Sequence, residues 1–439
     1  MSVNGLLRRA AGNAIFRNSL FLGLSGSSRG LAEVALVVLV FRALGPATGG
    51  QFILGFTVIR IAQYVAEGGL GMYLTREISR RPDLTGTYTM EAIKLVLALT
   101  APVGFSMATV AALLFQPQIG LAIALATVAV IFGAVQPLFG AAFLAQERAY
   151  LQFRSMLVMG LTLVAGGLLV ATLVPGLLAF FSVIAFSRGA GFAVGLFYFL
   201  RRLRPTVALR DLSAGRAFIR GLPYSLNAVG SYLYLRVDIV LLGVISGSLA
   251  TGIYGSVADP LVSLTSVVYI ITYAFLPSLS KAWGDEPERY KFLVKRVLVL
   301  NLGLGTLLAV AVFLGSGLYV SLAFGPELAP AAGVLRVLSA AIALRFLNSA
   351  LATWLTASGR QWYRTTGTLA AAGLNVVVNL VTIPIWGYWA AAWSTVATEA
   401  VLSGLLLWFL RSEIWLRPGE RGRDMSGVVV HAGSNTRPD

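Results

Sequence analysis

The chain has 439 residues, 57% of them hydrophobic and 12% charged, where an average soluble domain is about 25% charged. With a mean hydropathy of +0.81, this excludes an ordinary water-soluble globule and also a disordered chain, which requires low hydrophobicity. There is no cysteine, so disulfides, thiolate metal sites and cysteine nucleophiles are excluded. The single histidine, His431, stands in the polar C-terminal stretch. No histidine is left within the hydrophobic blocks for a metal site or a Ser-His-Asp triad. The net charge of +16 is read as basic residues gathered against anionic lipid on one side of a membrane, not as nucleic-acid binding.

The hydrophobic residues fall in blocks of the length that crosses a bilayer core, about 20 helical residues for about 30 Å. In chain order the predicted spans are 18–41, 49–71, 88–115, 119–145, 150–174, 176–200, 218–244, 250–277, 292–317, 329–357, 363–385 and 388–411. The blocks do not alternate as barrel strands do. The fold class expected is an all-α membrane protein of about twelve transmembrane helices. Residues 1–17 are basic, but the block behind them is long and lacks a small-residue cleavage site, so no cleavable signal peptide is expected.

Basic residues occupy alternate joints. Arg8, Arg9 and Arg17 precede span 1; Arg76, Arg80 and Arg81 follow span 2; Arg148 and Arg154 follow span 4; Arg201, Arg202 and Arg204 follow span 6. The second half repeats this with Lys281 to Arg296, then Arg360 and Arg364, then the tail from Arg411. The joints in between carry no Lys or Arg. The positive-inside rule therefore places both termini and the central linker in the cytoplasm of a multi-pass plasma (inner) membrane protein.

The halves resemble each other. Ala145-Gln146-Glu147-Arg148-Ala149-Tyr150 and Ala357-Ser358-Gly359-Arg360-Gln361-Trp362 both read Ala-x-x-Arg-x-aromatic. Gly50-Gln51-Phe52 between spans 1 and 2 matches Gly252-Ile253-Tyr254 between spans 7 and 8. Each half has six spans and starts on the same side. The expected units are a six-helix bundle at 1–204, a linker at 205–217, a second bundle at 218–411 and a tail at 412–439. Such parallel repeats carry substrate in a cavity between the halves, near the midplane.

Within the spans stand Arg29, Arg42, Arg60, Arg188, Arg236, Arg336 and Arg345, and the acids Glu33, Glu67, Asp238, Asp259 and Glu399. A charge at bilayer depth costs at least about 2.5–3.5 kcal/mol, so each is expected to face protein or water. Arg29 and Glu33 share a helical face, Arg60, Gln63, Tyr64 and Glu67 make a polar stripe, and Arg336 can reach the headgroups. Arginine forks onto phosphate oxygens, so a cavity lined by Arg29, Arg60, Arg188, Arg236 and Arg345, with Arg42 nearer the outer surface, suits an anionic cargo, notably a diphosphate. Asn227, Asn375 and Asn379 are polar and intramembrane, able to bond sugars or to knit helices together, and Asn227 and Asn375 are candidate substrate-binding groups. Asp238, Asp259 and Glu33 can pair with arginine or bind H⁺ or Na⁺ as coupling groups. No metal and no organic cofactor is expected.

Several motifs carry a family resemblance: Arg17-Asn18-Ser19, Phe41-Arg42-Ala43-Leu44-Gly45-Pro46, Glu67-Gly68-Gly69-Leu70, Arg236-Val237-Asp238, and Asn375 to Asn379 with Ile383-Pro384 and Gly387. Together they are similar to the polysaccharide-biosynthesis branch of the multidrug/oligosaccharidyl-lipid/polysaccharide exporters, the O-antigen and repeat-unit flippases. The resemblance implies two six-helix bundles forming a V, alternating access, and a polyprenyl-diphosphate-linked oligosaccharide moved from the cytoplasmic to the periplasmic leaflet. It implies a transporter and not an enzyme, acting among membrane lipids as a monomer, beside the glycosyltransferases and polymerase of its pathway and without nucleic acid. Ser28-Arg29 also resembles the lipid II flippase branch, whose usual fourteen spans this chain lacks. The remaining alternative is an ion-coupled multidrug cation antiporter of the same superfamily, which would want acids and aromatics in its cavity.

Overall fold

A computed structural model of the protein describes residues 14–114, 117–204, 230, 232, 234–283 and 286–415. Asn227, His431 and the linker 205–217 lie outside the described residues. The first helix, α1 (Ala14–Glu67), contains both spans 1 and 2. Its helical path breaks at Gly45, where φ is 73°, a left-handed value that glycine adopts without a Cβ penalty. Pro46 then opens the second leg, where its missing N–H is no loss. The chain turns back there: an added Cβ on Gly49 would lie 2.6 Å from the Phe41 ring, whereas eight residues of straight helix would separate the two by about 12 Å.

The short amphipathic α2 (Leu70–Arg80) follows, burying Leu70, Tyr73, Leu74 and Ile78. Then come α3 (Thr85–Leu114), α4 (Pro117–Ala145), α5 (Ala149–Leu173) and α6 (Leu177–Tyr198), which ends in a π turn at Phe199–Leu203. The second half has α7 (234–245), α8 (Gly247–Ala282), α9 (Pro287–Phe324), α10 (Ala329–Ala357), α11 (Gln361–Trp386) and α12 (Tyr388–Trp415). Every expected span falls on helix, span 7 from residue 234 onward, and no strand occurs among the described residues. Nine helical stretches among the described residues are long and apolar enough to cross a membrane. The first of these runs from Arg17 to Arg80 and holds two spans.

α1 packs with α3 to α6, α8 packs with α9, α10 and α12 while α11 packs on α12 and α10, and the two sets meet chiefly along α1 and α8. This is an all-α, two-bundle membrane protein. Large apolar side chains remain exposed on the outside, among them Leu161 on α5, Phe313 and Leu314 on α9, and Val381 and Ile385 on α11. A bilayer is the solvent in which such a surface is satisfied, since every backbone group there is already bonded within a helix.

The turns confirm the repeat at atomic detail. Gly45 and Gly247, which open the second helix of each half, both have positive φ, 73° and 80°. After α4 the Arg148 N–H donates to Phe143 O at 2.7 Å and the Glu147 N–H to Leu144 O at 3.0 Å. After α10 the Arg360 N–H donates to Leu355 O at 2.8 Å and the Gly359 N–H to Thr356 O at 3.2 Å. These are the same helix-ending turn, with its left-handed residue at Glu147 and Gly359.

Candidate functional site

The buried charges gather where α1 meets α4, α5 and α6. Glu33 on the first leg of α1 is the centre. It pairs with Arg60 on the second leg, and Arg29, one turn away, lies 3.9 Å from it. The Arg60 guanidinium also sits 4.8 Å over the Phe56 ring. Arg188, on α6 and buried, points at the same place and donates to Ala129 O at 3.3 Å. Among the described residues it has no carboxylate within ion-pair distance. Gln63 donates to Gly133 O at 2.7 Å. A Cβ on Gly133 would fall 2.7 Å from Gln63 and 2.8 Å from Arg188, so a glycine on α4 makes room for both heads. Gln136, Met156 and Met159 complete the wall of a pocket of about 30 Å³, room for one or two waters. Three guanidiniums thus surround one carboxylate.

The cluster continues into the other bundle. Tyr64 on α1 stacks on Tyr232, with ring centroids 4.1 Å apart. Arg236 on α7 lies within electrostatic reach of Arg60 and Glu33. It is buried and paired with Asp259 on α8. Asp238 accepts hydrogen bonds from the Tyr254 hydroxyl and, at 2.8 Å, from the Ile239 N–H; Tyr254 also meets Thr395 at 3.2 Å. Beyond it, Arg345 on α10 donates to Glu399 at 2.7 Å, and Asn348 donates to the same carboxylate at 2.9 Å. Arg345 keeps one buried terminal nitrogen with no partner among the described residues.

The structure therefore assembles Arg29, Arg60, Arg188 and Arg236 with Glu33, and it places Arg345 and Asp238 further along the same seam. It does not bring Arg42 there. Arg42 is exposed at the end remote from the basic joints, where it donates to Ala323 O at 2.8 Å and to Leu322 O, the last carbonyls of α9. Asn375 ties helices together: it donates to Thr398 at 3.3 Å and accepts from Asn379 at 3.0 Å. Arg336 donates to Ser316 at 3.0 Å. Sequence reasoning did not single out Gln136, Tyr232, Tyr254 or Asn348. The available signal was positional, because Gln136 and Asn348 occupy matching places, each the same distance before its half's Ala-x-x-Arg-x-aromatic turn.

Two further features border the seam. On the opposite face of the Arg29 segment, Gly30, Leu31 and Val34 join Val257 and Leu261 of α8 and Ala311 and Val312 of α9 around an apolar crevice of about 540 Å³. At the end remote from the basic joints the bundles are in backbone contact. A Cβ on Gly50 would lie 1.8 Å from Ser248 O, and one on Gly252 would lie 2.3 Å from Pro46 O. Phe41 and Phe324 close the same end, edge to face at 5.5 Å.

Residues 15–283 match the polysaccharide biosynthesis protein family. An uncharacterized membrane protein of Methanocaldococcus jannaschii is 24% identical over 218 residues, 48% of this chain; the match spans 43% of that protein's length. Among solved structures, an inward-facing multidrug resistance MATE-family transporter of the MOP superfamily superposes with a TM-score of 0.71 at 16% identity, covering 88% of this chain and 94% of that one. A MOP superfamily transporter from Pyrococcus furiosus gives 0.65 at 14% identity, covering 92% and 96%. An outward-facing MATE-family transporter gives 0.64 at 17% identity, covering 91% and 95%. The chain thus has the fold of these transporters, and it is a multi-pass membrane protein that belongs to the polysaccharide biosynthesis protein family.

Proposed function

We propose that the protein is a flippase for a polyprenyl-diphosphate-linked oligosaccharide, moving it from the cytoplasmic to the outer leaflet of the plasma membrane, with both termini in the cytoplasm. The observation that carries this reading is the surplus of guanidinium in the N-terminal bundle: Arg29, Arg60 and Arg188 around Glu33 alone, with Arg188 lacking a carboxylate among the described residues. A buried cation without a counter-ion is costly. A diphosphate entering the cleft supplies the missing charge, bound through charge-assisted, forked hydrogen bonds. Arg236 approaches the same anion from the second bundle, so one ligand contacts both halves. That is the differential contact a rocking motion requires.

The polyprenyl tail occupies the apolar crevice between α1, α8 and α9, on the other face of the helix that carries Arg29. Headgroup and tail then straddle one helix, and the tail stays in lipid. The glycine contact of Gly50 and Gly252 holds the outer end closed while the cytoplasmic side loads. Glu33, Asp238 and Asp259 are the candidate H⁺ or Na⁺ coupling groups. Each now faces an arginine or a tyrosine that protonation or ion binding would release.

A multidrug cation antiporter of the same superfamily would need free carboxylates in its cavity, and Glu33, Asp259 and Glu399 are each engaged by arginine. The MOP transporter of Pyrococcus furiosus is likewise described with a binding pocket of reversed polarity. The deciding experiment is depletion of the protein in cells. The flippase reading expects a lipid-linked saccharide to accumulate on the cytoplasmic leaflet while drug tolerance is unchanged. Drug sensitivity with normal surface polysaccharide would overturn it.

A further inference from the structure

We propose that the N-terminal bundle carries a second lipid site, separate from the cleft, that binds an anionic glycerophospholipid at its basic end. A recess of about 1280 Å³ lies between the ends of α1, α5 and α6. Its walls hold six arginines, Arg17, Arg148, Arg154, Arg201, Arg202 and Arg204, against the single carboxylate of Glu147. Among the described residues none of these arginines has an ion-pair partner; Arg148 instead donates to Arg202 O at 2.7 Å. Basic residues at such an end are expected in any membrane protein, but the first two on α9 are compensated. There Arg289 pairs with Glu286 at 2.8 Å and Lys291 with Glu288 at 2.7 Å. Among the described residues the positive charge of the recess is left uncompensated, and the recess is concave.

The second observation is an apolar groove that starts where the recess stops. Arg154 and Leu157 line both. From them Val158, Val194 and Phe197 continue along the surface of α5 and α6 as a groove of about 530 Å³. At the junction the Arg154 guanidinium is fixed over two rings, 5.5 Å from Tyr150 and 5.9 Å from Tyr198. A stacked guanidinium keeps its N–H edge free for phosphate. A fixed cation above an apolar channel, at the level where headgroup meets chain, matches a phosphodiester headgroup with one acyl chain laid in the groove. The interior of the recess then takes the rest of the headgroup. Juxtamembrane basic clusters gain about 1 kcal/mol per residue from anionic lipid. The recess adds shape to that attraction.

The α1 end that lines this recess also sets the position of α5. Asn18, buried beside Arg17, accepts the Ala149 N–H at 3.1 Å. Lipid held here therefore touches the helix that bears Arg29 and Glu33 further along, and its occupancy is placed to alter transport without entering the cleft.

The test is titration of phosphatidylglycerol, phosphatidylcholine and undecaprenyl diphosphate onto the purified full-length protein, read by native mass spectrometry. The wild type is expected to retain one phosphatidylglycerol with at least a tenfold preference over phosphatidylcholine. R154Q/R201Q/R202Q should abolish that preference, whereas R289Q/K291Q/K295Q/R296Q, at the same end of the other bundle, should keep it. Leu157→Trp fills the groove without changing charge and should weaken phosphatidylglycerol at least tenfold. Equal loss in the two charge variants would mean generic surface attraction and would overturn the site. So would wild-type retention in Leu157→Trp, which decides the matter even if the triple variant fails to fold. Displacement of phosphatidylglycerol by one equivalent of undecaprenyl diphosphate in the wild type would make the recess a cargo site and also overturn the proposal.

Discussion

Arg60 and Arg188 stand in one pocket with one charge each, yet their loss should have different consequences. Arg60 holds Glu33. Arg60→Gln leaves that carboxylate with only the longer 3.9 Å pairing to Arg29, and breaking a buried pair typically costs about 3–5 kcal/mol, so the melting temperature in detergent should fall. Arg188 leans on a carbonyl alone. Arg188→Gln should melt at or above the wild type and still lose translocation of the lipid-linked saccharide. An Arg188→Gln protein that transports normally would remove Arg188 from the substrate site. A second residue-scale prediction concerns Glu147, whose φ of 58° is left-handed without being glycine. Its counterpart in the second half is Gly359, at 76°. A left-handed conformation costs an L-residue roughly 1–2 kcal/mol, so Glu147→Gly should stabilise the protein by about 1 kcal/mol in thermal melts.

At the scale of elements, the contact between α1 and α8 is where the bundles meet most closely, and the proposed mechanism makes it the pivot. Gly50 and Gly252 approach so closely that a methyl group on either meets backbone. Gly50→Ala must therefore part the helices at that end. The chain has no cysteine of its own, so a single cysteine replacing the fully buried Thr251 is a clean reporter. Its labelling by a water-soluble thiol reagent should rise several-fold in the Gly50→Ala background. Unchanged labelling would show that the contact is not the closure. The pairing of these glycines was legible as a repeated Gly-x-aromatic pattern. That the two copies touch each other was not, because a repeat in sequence says only that two segments are alike, not where their symmetry axis runs.

At the scale of the molecule, orientation follows from charge asymmetry alone. Cysteine at Gln361, exposed at the start of α11, should label from the cytoplasm, and cysteine at Glu327, exposed between α9 and α10, from the outside. The reverse pattern would invert the direction of transport proposed above. The spans were readable because a helix long and apolar enough to cross lipid has few alternatives. The list of intramembrane arginines was readable for the same reason, since each is conspicuous against hydrocarbon. Their roles were not. Arg42 and Arg29 look equivalent along span 1, but Arg42 caps the carbonyls ending α9 while Arg29 faces Glu33. For Asn375 the sequence leaves sugar binding and helix knitting open, and in space it stitches α11 to α12.

The amino-acid order by itself determined the membrane class, the helical crossings and the duplication, and it is the basis of the orientation proposed for them. All of these rest on transfer energies and on local periodicity, which act within one segment. Which arginine meets which carboxylate, and which one is left with only a backbone carbonyl, was decided only when α1, α4, α6 and α7 packed together. Ion pairing depends on distances of a few ångströms between residues far apart in the chain, and a span's hydropathy carries no information about its neighbours.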